Sequence, residues 1–137
     1  MEITLSDIWG AAGFLIGLQI AAFAWRVSRE LNMAEKGEVI WLPLADIMNL
    51  FAMVVAFLGV FALPLLGIEN PEIPRISLGI SIILFAGYPF ALAGHYNLYT
   101  KGRRENADYC TKQEKIVVLI TIVFAIMFLS LWFWHIN

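Results

Sequence analysis

Residues 116–136 read IVVLITIVFAIMFLSLWFWHI, an apolar run that contains no Asp, Glu, Lys or Arg. The run is as long as the ~20 apolar residues that an α-helix needs to cross a ~30 Å hydrocarbon core. A helix on the surface of a soluble domain keeps one polar face, and this run has none. The stretch therefore predicts a membrane-spanning helix.

The rest of the chain repeats this pattern. Of its 137 residues, 61% are hydrophobic and 15% are charged, whereas a soluble domain is about half apolar and about a quarter charged. Strands are not expected, because four of them cannot close a barrel and lipid tolerates no open sheet edge. The sequence predicts an all-α membrane protein, a single four-helix transmembrane domain over residues 1–137. Its helices are predicted near 7–26, 40–66, 76–98 and 114–135.

The positions of the basic residues predict how this bundle is oriented. All nine Lys and Arg residues except Arg75 lie in or directly beside the first and third connections, residues 27–39 and 99–113. Basic residues concentrate in cytoplasmic loops, so both connections are predicted to be cytoplasmic and both termini to lie outside. Tryptophans, which favour membrane interfaces, agree with this N-out/C-out topology: Trp9, Trp132 and Trp134 would mark the outer interface, and Trp25 and Trp41 the inner one.

Local signals predict where the helices end. No Gly or Pro interrupts residues 26–36, so helix one is predicted to extend into the cytoplasm as far as residue 36. Two X-Pro pairs within residues 70–74 predict the outer turn between helices two and three. Gly102 is a typical C-terminal cap for helix three, and Thr111 with Glu114 forms a capping-box pattern ahead of helix four.

Polar side chains gather in the predicted inner half of the bundle. Asp46 lies about two turns into helix two, where a carboxylate at mid-membrane costs roughly 2.5–3.5 kcal/mol. It is expected to face the bundle or water, and Asn49, one turn further on, faces the same way. Two hypotheses stay open: Asp46 pairs with Arg26 or His95 and holds the helices together, or it contacts an ion, a proton or a ligand. The candidate inner-leaflet cluster comprises Asp46, Asn49, Gln19, His95, Arg26 and Tyr88.

Small residues and a proline suggest further roles for helices one and three. Gly13, Gly17 and Ala21 recur four residues apart, a spacing that lets another helix approach closely in a membrane. That helix could belong to the same chain or to another subunit. In helix three, Gly87 and Pro89 form a candidate hinge, because proline removes a backbone donor and can bend a helix; a static kink is the alternative.

Several classes of function are not expected. The sequence contains no catalytic triad order, metal-ligand spacing or phosphate-binding loop, so we expect no enzyme, no metal site and no cofactor. The net charge of −2 gives no reason to expect a nucleic-acid partner. Cys110 is the single cysteine, so it cannot form an intrachain disulfide.

The preferred functional hypothesis is a homo-oligomeric ion channel or pore gated from its cytoplasmic face, a build that some membrane effectors share. A four-helix chain of this size encloses little room, so further copies of the chain and the lipid bilayer are the expected partners. A cytoplasmic protein or small ligand could bind at loops 27–39 and 99–113.

Two alternatives remain beside the channel. One is a structural or assembly subunit of a larger membrane complex, and the other is a small proton-coupled transporter that uses Asp46. The transporter is disfavoured because the chain has no internal repeat. The expected location is the inner membrane of a bacterial or archaeal cell, and no motif chooses among small four-helix channels, exporters and respiratory subunits.

The predicted topology can be tested with fusions. A reporter that is active only outside the cytoplasm should work after Asn137 and fail at Gly102, and a cytoplasmic reporter should do the reverse, because the basic loops stay inside. The opposite pattern would overturn the orientation and move the polar half of the bundle to the outer leaflet.

Overall fold

The computed structural model describes residues 4–35, 42–68, 70–100 and 110–136, and these ranges are all-helical, without strands. Four helices are long and apolar enough to cross a membrane, which supports an integral multi-pass membrane protein. They are α1 (Leu5–Ala34), α2 (Leu44–Leu65), α3 (Glu72–His95) and α4 (Lys112–Ile136). We call the end of the bundle where α1 and α3 finish and α2 and α4 begin the inner end, following the sequence-based topology.

Helix α1 is longer than a bilayer requires. Its 30 residues span roughly 45 Å at 1.5 Å per residue, against a hydrocarbon core of ~30 Å. The helix passes Arg26 without a break and ends at Ala34; residue 36, the predicted limit of the extension, lies outside the described residues. A helix of this length is long enough to cross the core and extend beyond it, so the predicted extension stays a prediction.

Helix α2 changes its winding along its length. It is α-helical over Leu44–Ala56, π-helical over Phe57–Ala62 and α-helical again over Leu63–Leu65. A π-helical segment inserts an extra residue into a helical turn. Gly59 lies in this segment and packs on Ser77 of α3 so closely that no side chain would fit.

Helix α3 starts earlier than its prolines suggest. The sequence prediction began it near residue 76, but the helix begins at Glu72 and includes Pro74 in its first turn. The first four N–H groups of a helix have no acceptor within the helix, so a proline there removes no hydrogen bond.

Helix α3 also ends earlier than predicted, at His95 and not near residue 98. Asn97 adopts a left-handed conformation with φ of 55°. Its N–H donates to the Gly94 carbonyl over 2.9 Å, and the Leu98 N–H donates to the Ala93 carbonyl over 3.0 Å. This hydrogen-bond pattern is a Schellman cap. The prediction that Gly102 caps the helix was therefore wrong; Gly102 itself lies outside the described residues.

Glycines bring α3 into close contact with α4. A Cβ atom at Gly79 would collide with Phe128, one at Gly87 with Thr121, and one at Gly94 with the backbone at Glu114. Such small residues let two helix backbones approach in lipid, where no hydrophobic force drives helices together. Gly87, part of the candidate hinge, is thus a packing residue, and α3 is continuous through Pro89.

The small residues of α1 face away from the bundle. The buried side chains of this helix are Ile8, Ala12, Leu15, Gln19 and Arg26. On the opposite side the positions between Ser6 and Ser28 are exposed and small, and a Cβ at Gly10, Gly13 or Gly17 would meet nothing within 4 Å among the described residues. Among the described residues no packing partner accounts for Gly13 and Gly17, and Ala21 is exposed. The small-residue face of α1 consists of Ser6, Gly10, Gly13, Gly17, Ala21, Ala24 and Ser28.

Two glycine-to-alanine variants test this packing. A Cβ at Gly94 would stand 2.8 Å from the Glu114 backbone nitrogen, so Gly94→Ala should destabilise the monomer by about 1–3 kcal/mol through overpacking. Gly10→Ala has open space and should gain about 0.5–1 kcal/mol, because alanine loses less entropy in a helix. Unfolding of both variants in detergent, under monomeric conditions, gives the comparison. Equal stability changes would contradict the packing described for α3 and α4.

Candidate functional site

The interior of the bundle has a polar part and an apolar part. Near the outer end the buried cluster consists of Ile8, Ala12 and Val60. The inner half contains most of the buried polar side chains that the structure describes: Gln19, Arg26, Asp46, Asn49, Ser81, His95, Thr111 and Glu114. These inner residues come from all four helices and form the candidate site.

Asp46 is bound by two neighbours on two other helices. Its Oδ1 accepts a hydrogen bond from the Tyr88 hydroxyl over 2.9 Å, and its Oδ2 lies 3.5 Å from the Arg26 Nε. Only 1% of the Arg26 and Asp46 side chains is exposed, and Arg26 also pairs with Glu30 on its own helix. A buried charge is tolerated when it is paired and hydrogen-bonded, and this carboxylate is both. The arrangement ties α1, α2 and α3 together.

Tyr96 holds the inner end of α1 against the end of α3. The guanidinium of Arg29 lies 4.2 Å from the centre of the Tyr96 ring, and that of Arg26 lies 5.6 Å from it. Both distances are within the range of a cation–π interaction. The side chain of His95 meets the same ring edge-on, with 5.1 Å between ring centres.

Glu114 is the most connected residue of the site, and it is fully buried. Its Oε1 accepts the Ala45 N–H over 2.8 Å, in the first turn of α2. Its Oε2 lies 2.9 Å from the Nδ1 of His95, in the last turn of α3. A single carboxylate on α4 therefore joins the inner ends of two other helices, and it satisfies a backbone donor that α2 cannot satisfy itself.

The sequence predicted a capping box at Thr111 and Glu114, but not the contacts that the Glu114 carboxylate makes with other helices. Thr111 Oγ1 accepts the Glu114 N–H over 3.1 Å, which is one half of a capping box. In the other half the glutamate would bond back to the Thr111 N–H; here its carboxylate turns to His95 and Ala45 instead. The Thr111 hydroxyl donates to the Gly94 carbonyl over 2.6 Å, so it too bonds across to α3.

A second set of hydrogen bonds joins α1, α2 and α3 deeper in the bundle. The Asn49 amide donates to the Gln19 carbonyl over 3.2 Å. The Gln19 amide lies 3.4 Å from Ser81 Oγ, and the Ser81 hydroxyl donates to the Ala52 carbonyl over 2.8 Å. All three side chains are buried.

The six predicted site residues are thus all buried, but they do not form a single cluster of contacts. Asp46 contacts Arg26 and Tyr88, whereas His95 contacts Glu114. Whether any of these residues acts on an ion or a ligand stays a prediction. The residues that the sequence reasoning did not include are Glu114, Thr111, Ser81 and Tyr96.

Cys110 lies just before α4 and is half-buried. Burial, together with the nearby carboxylate of Glu114, raises the pKa of this thiol. A raised pKa leaves less thiolate at neutral pH, so the thiol is a poor nucleophile. In the described ranges no group of three or more His, Cys, Asp or Glu side chains could hold a metal ion.

Comparison with protein-family models, with curated proteins and with solved structures finds no match to this chain. Its function is therefore argued from its own residues.

Removing the Glu114 carboxylate tests its role in joining the helices. Glu114→Ala leaves the Ala45 N–H and the His95 ring without their partner and should cost about 3 kcal/mol of unfolding free energy. The matched control is Glu72→Ala, which removes a partly exposed pair with Arg75 and should cost at most about 1 kcal/mol. Denaturation in detergent micelles measures both. Similar losses for the two variants would show that Glu114 does not hold the inner ends together.

Proposed function

We propose that this chain is the subunit of a homo-oligomeric membrane channel in which neighbouring copies meet through the small-residue face of α1. The observation that carries the proposal is this face itself, which runs from Ser6 to Ser28 opposite the buried side of the helix. It is exposed along its whole length, and a Cβ added to the glycines at its centre would meet nothing within 4 Å among the described residues.

A small-residue face supports subunit contact for a physical reason. Glycine weakens an isolated helix relative to alanine, and among the described residues no turn or close approach requires glycine in α1. In lipid, small residues stabilise the contact between two helices, because the flat surface that they form allows extensive van der Waals contact. A second α1 offers the same flat surface, so a symmetric assembly can use it repeatedly.

The buried charges at the inner end support a gate at that end. Arg26 lies on the opposite side of α1 from the small-residue face and is bound to Asp46 and Glu30. If α1 moved to open a central pore, either these contacts would break or Asp46 would have to move together with Arg26. A ligand or protein at loops 27–39 or 99–113 would act at this end of the helix, which makes the network a suitable point of control.

The alternative, a structural or assembly subunit of a larger complex, is favoured by one observation. The Asp46 carboxylate is already occupied by Arg26 and Tyr88, as expected of a residue that only holds helices together. In that case the small-residue face of α1 would meet a different protein. Measuring the mass of the purified protein in nanodiscs separates the two: a closed ring of one chain supports the channel, and a monomer that purifies with other proteins supports the subunit.

Gly17→Leu tests the subunit contact. Leucine would place a bulky side chain in the middle of the small-residue face, so the oligomer should dissociate while the monomer keeps its helical content. The matched control is Ala11→Leu, which adds a bulky side chain at an exposed position of α1 away from this face and should leave the oligomer intact. Mass measurement and circular dichroism report the two quantities. An intact Gly17→Leu oligomer would mean that the face meets only lipid.

Asp46→Asn separates a role in conduction from a purely structural one. The amide keeps the shape but removes the charge, so as part of the gate it should change ion or proton flux into liposomes, with altered pH dependence and unchanged oligomer size. If the carboxylate only pairs with Arg26, the variant should instead lose about 3 kcal/mol of stability, because a buried cation loses its partner. Asp7→Asn, at the exposed start of α1, is the control. Lowered stability with unchanged flux would remove Asp46 from the conduction mechanism.

A further inference from the structure

Five buried polar atoms in the inner half of the bundle have no hydrogen-bond partner among the described residues, and one of them is the Tyr96 hydroxyl at the end of α3. The other four are two acceptors, Gln19 Oε1 and Asn49 Oδ1, and two donors, the Nε and Nη2 of Arg26; of these, Nε is ion-paired with Asp46 Oδ2 at 3.5 Å. They lie along one seam between α1 and α2: the Asn49 amide bonds to the Gln19 carbonyl, and Asp46, which pairs with Arg26, is one turn from Asn49. At most 1% of each of the three side chains is exposed.

Rotating the amide groups does not solve this problem. The Asn49 nitrogen donates to the Gln19 carbonyl, so rotation would place two acceptor oxygens against each other. The Gln19 nitrogen lies beside Ser81 Oγ, and rotating this amide would only put the nitrogen, in place of the oxygen, at the position without a partner. One unpaired polar atom at each amide is therefore a consequence of the fold.

The mixture of free donors and free acceptors decides what can bind among them. A cation would bind the amide oxygens but would be repelled by Arg26, and an anion would bind Arg26 but would be repelled by Asp46. Water both donates and accepts, and an internal water typically makes about three hydrogen bonds to buried polar groups. We propose that Gln19, Asn49 and Arg26 line an internal water-binding site in the inner half of the bundle.

The chain also limits how far this hydration can extend. Outward of Asn49, the buried positions on the same side of α2 are Ala52, Ala56 and Val60. Their side chains offer no polar atoms, so water has no partners there. The site therefore ends near the level of Ser81 on this side of α2. The inference goes beyond the proposed channel, because the water would be held inside each subunit.

Water-edited solid-state NMR of the labelled protein in deuterated bilayers tests the site. Magnetisation from water should reach the side-chain carbonyl carbons of Asn49 and Gln19 nearly as fast as that of Gln113 at the bundle surface. The Ala56 methyl, two turns outward on the same side of α2, is the internal dry reference. Build-up at Asn49 and Gln19 as slow as at Ala56 would overturn the proposal.

A variant tests whether the two amides share the water. Asn49→Leu should reduce the water signal at Gln19, because the bridging partner is lost, while the signal at Gln113 stays constant. An unchanged signal at Gln19 would show that the water does not bridge the two side chains, contrary to the proposal. Ion flux into liposomes, measured separately, tests the channel proposal. Hydration without flux would contradict the channel proposal but support the water site. Flux without hydration would support the channel proposal but contradict the water site.

Discussion

The contact between the Glu114 carboxylate, the His95 ring and the Ala45 N–H is the interaction on which the inner end of the bundle depends. A membrane interior offers no water to solvate a carboxylate or an unpaired backbone donor, so each must find its partner inside the protein. Glu114 meets both needs at once, since one oxygen takes the α2 donor and the other takes His95. Because these partners lie on α2 and α3, satisfying them also positions three helices.

The same constraint explains why the bundle is divided into a polar inner half and an apolar outer half. Buried charges cost less near a membrane surface than at its centre, and within the bundle the charge of Arg26 is paired with Asp46 and Glu30. Further out, close packing between helices requires small residues such as Gly59 and Gly79. Hydrogen bonds and ion pairs thus determine which helices meet at the inner end of the bundle. Side-chain size determines how closely the helices pack at the outer end.

The sequence predicted the features that depend on hydropathy and missed those that depend on long-range pairing. Four apolar runs were enough to locate four helices, and the cost of a carboxylate in lipid was enough to expect Asp46 inside the bundle. Its predicted depth was wrong, because α2 begins at Leu44 and Asp46 lies in its first turn, not about two turns into the helix. Glu114 was recognised only as a local cap, because a capping box is defined within four residues, whereas its partners lie 19 and 69 positions away. The surroundings of the α1 glycines could not be predicted either. Their spacing shows that the small residues share one face of the helix, but it does not show what that face contacts.

The contact between Glu114 and His95 can be observed directly by magic-angle spinning NMR of the protein in lipid bilayers. A His135→Gln background leaves His95 as the only histidine, so 15N-histidine and 13C-glutamate labelling gives one ring to follow. The structure predicts a protonated Nδ1 on His95 with a strong dipolar coupling to a glutamate carboxyl carbon, as expected for a hydrogen bond. An unprotonated Nδ1 without such a coupling would contradict the account of how the inner ends of the helices are joined.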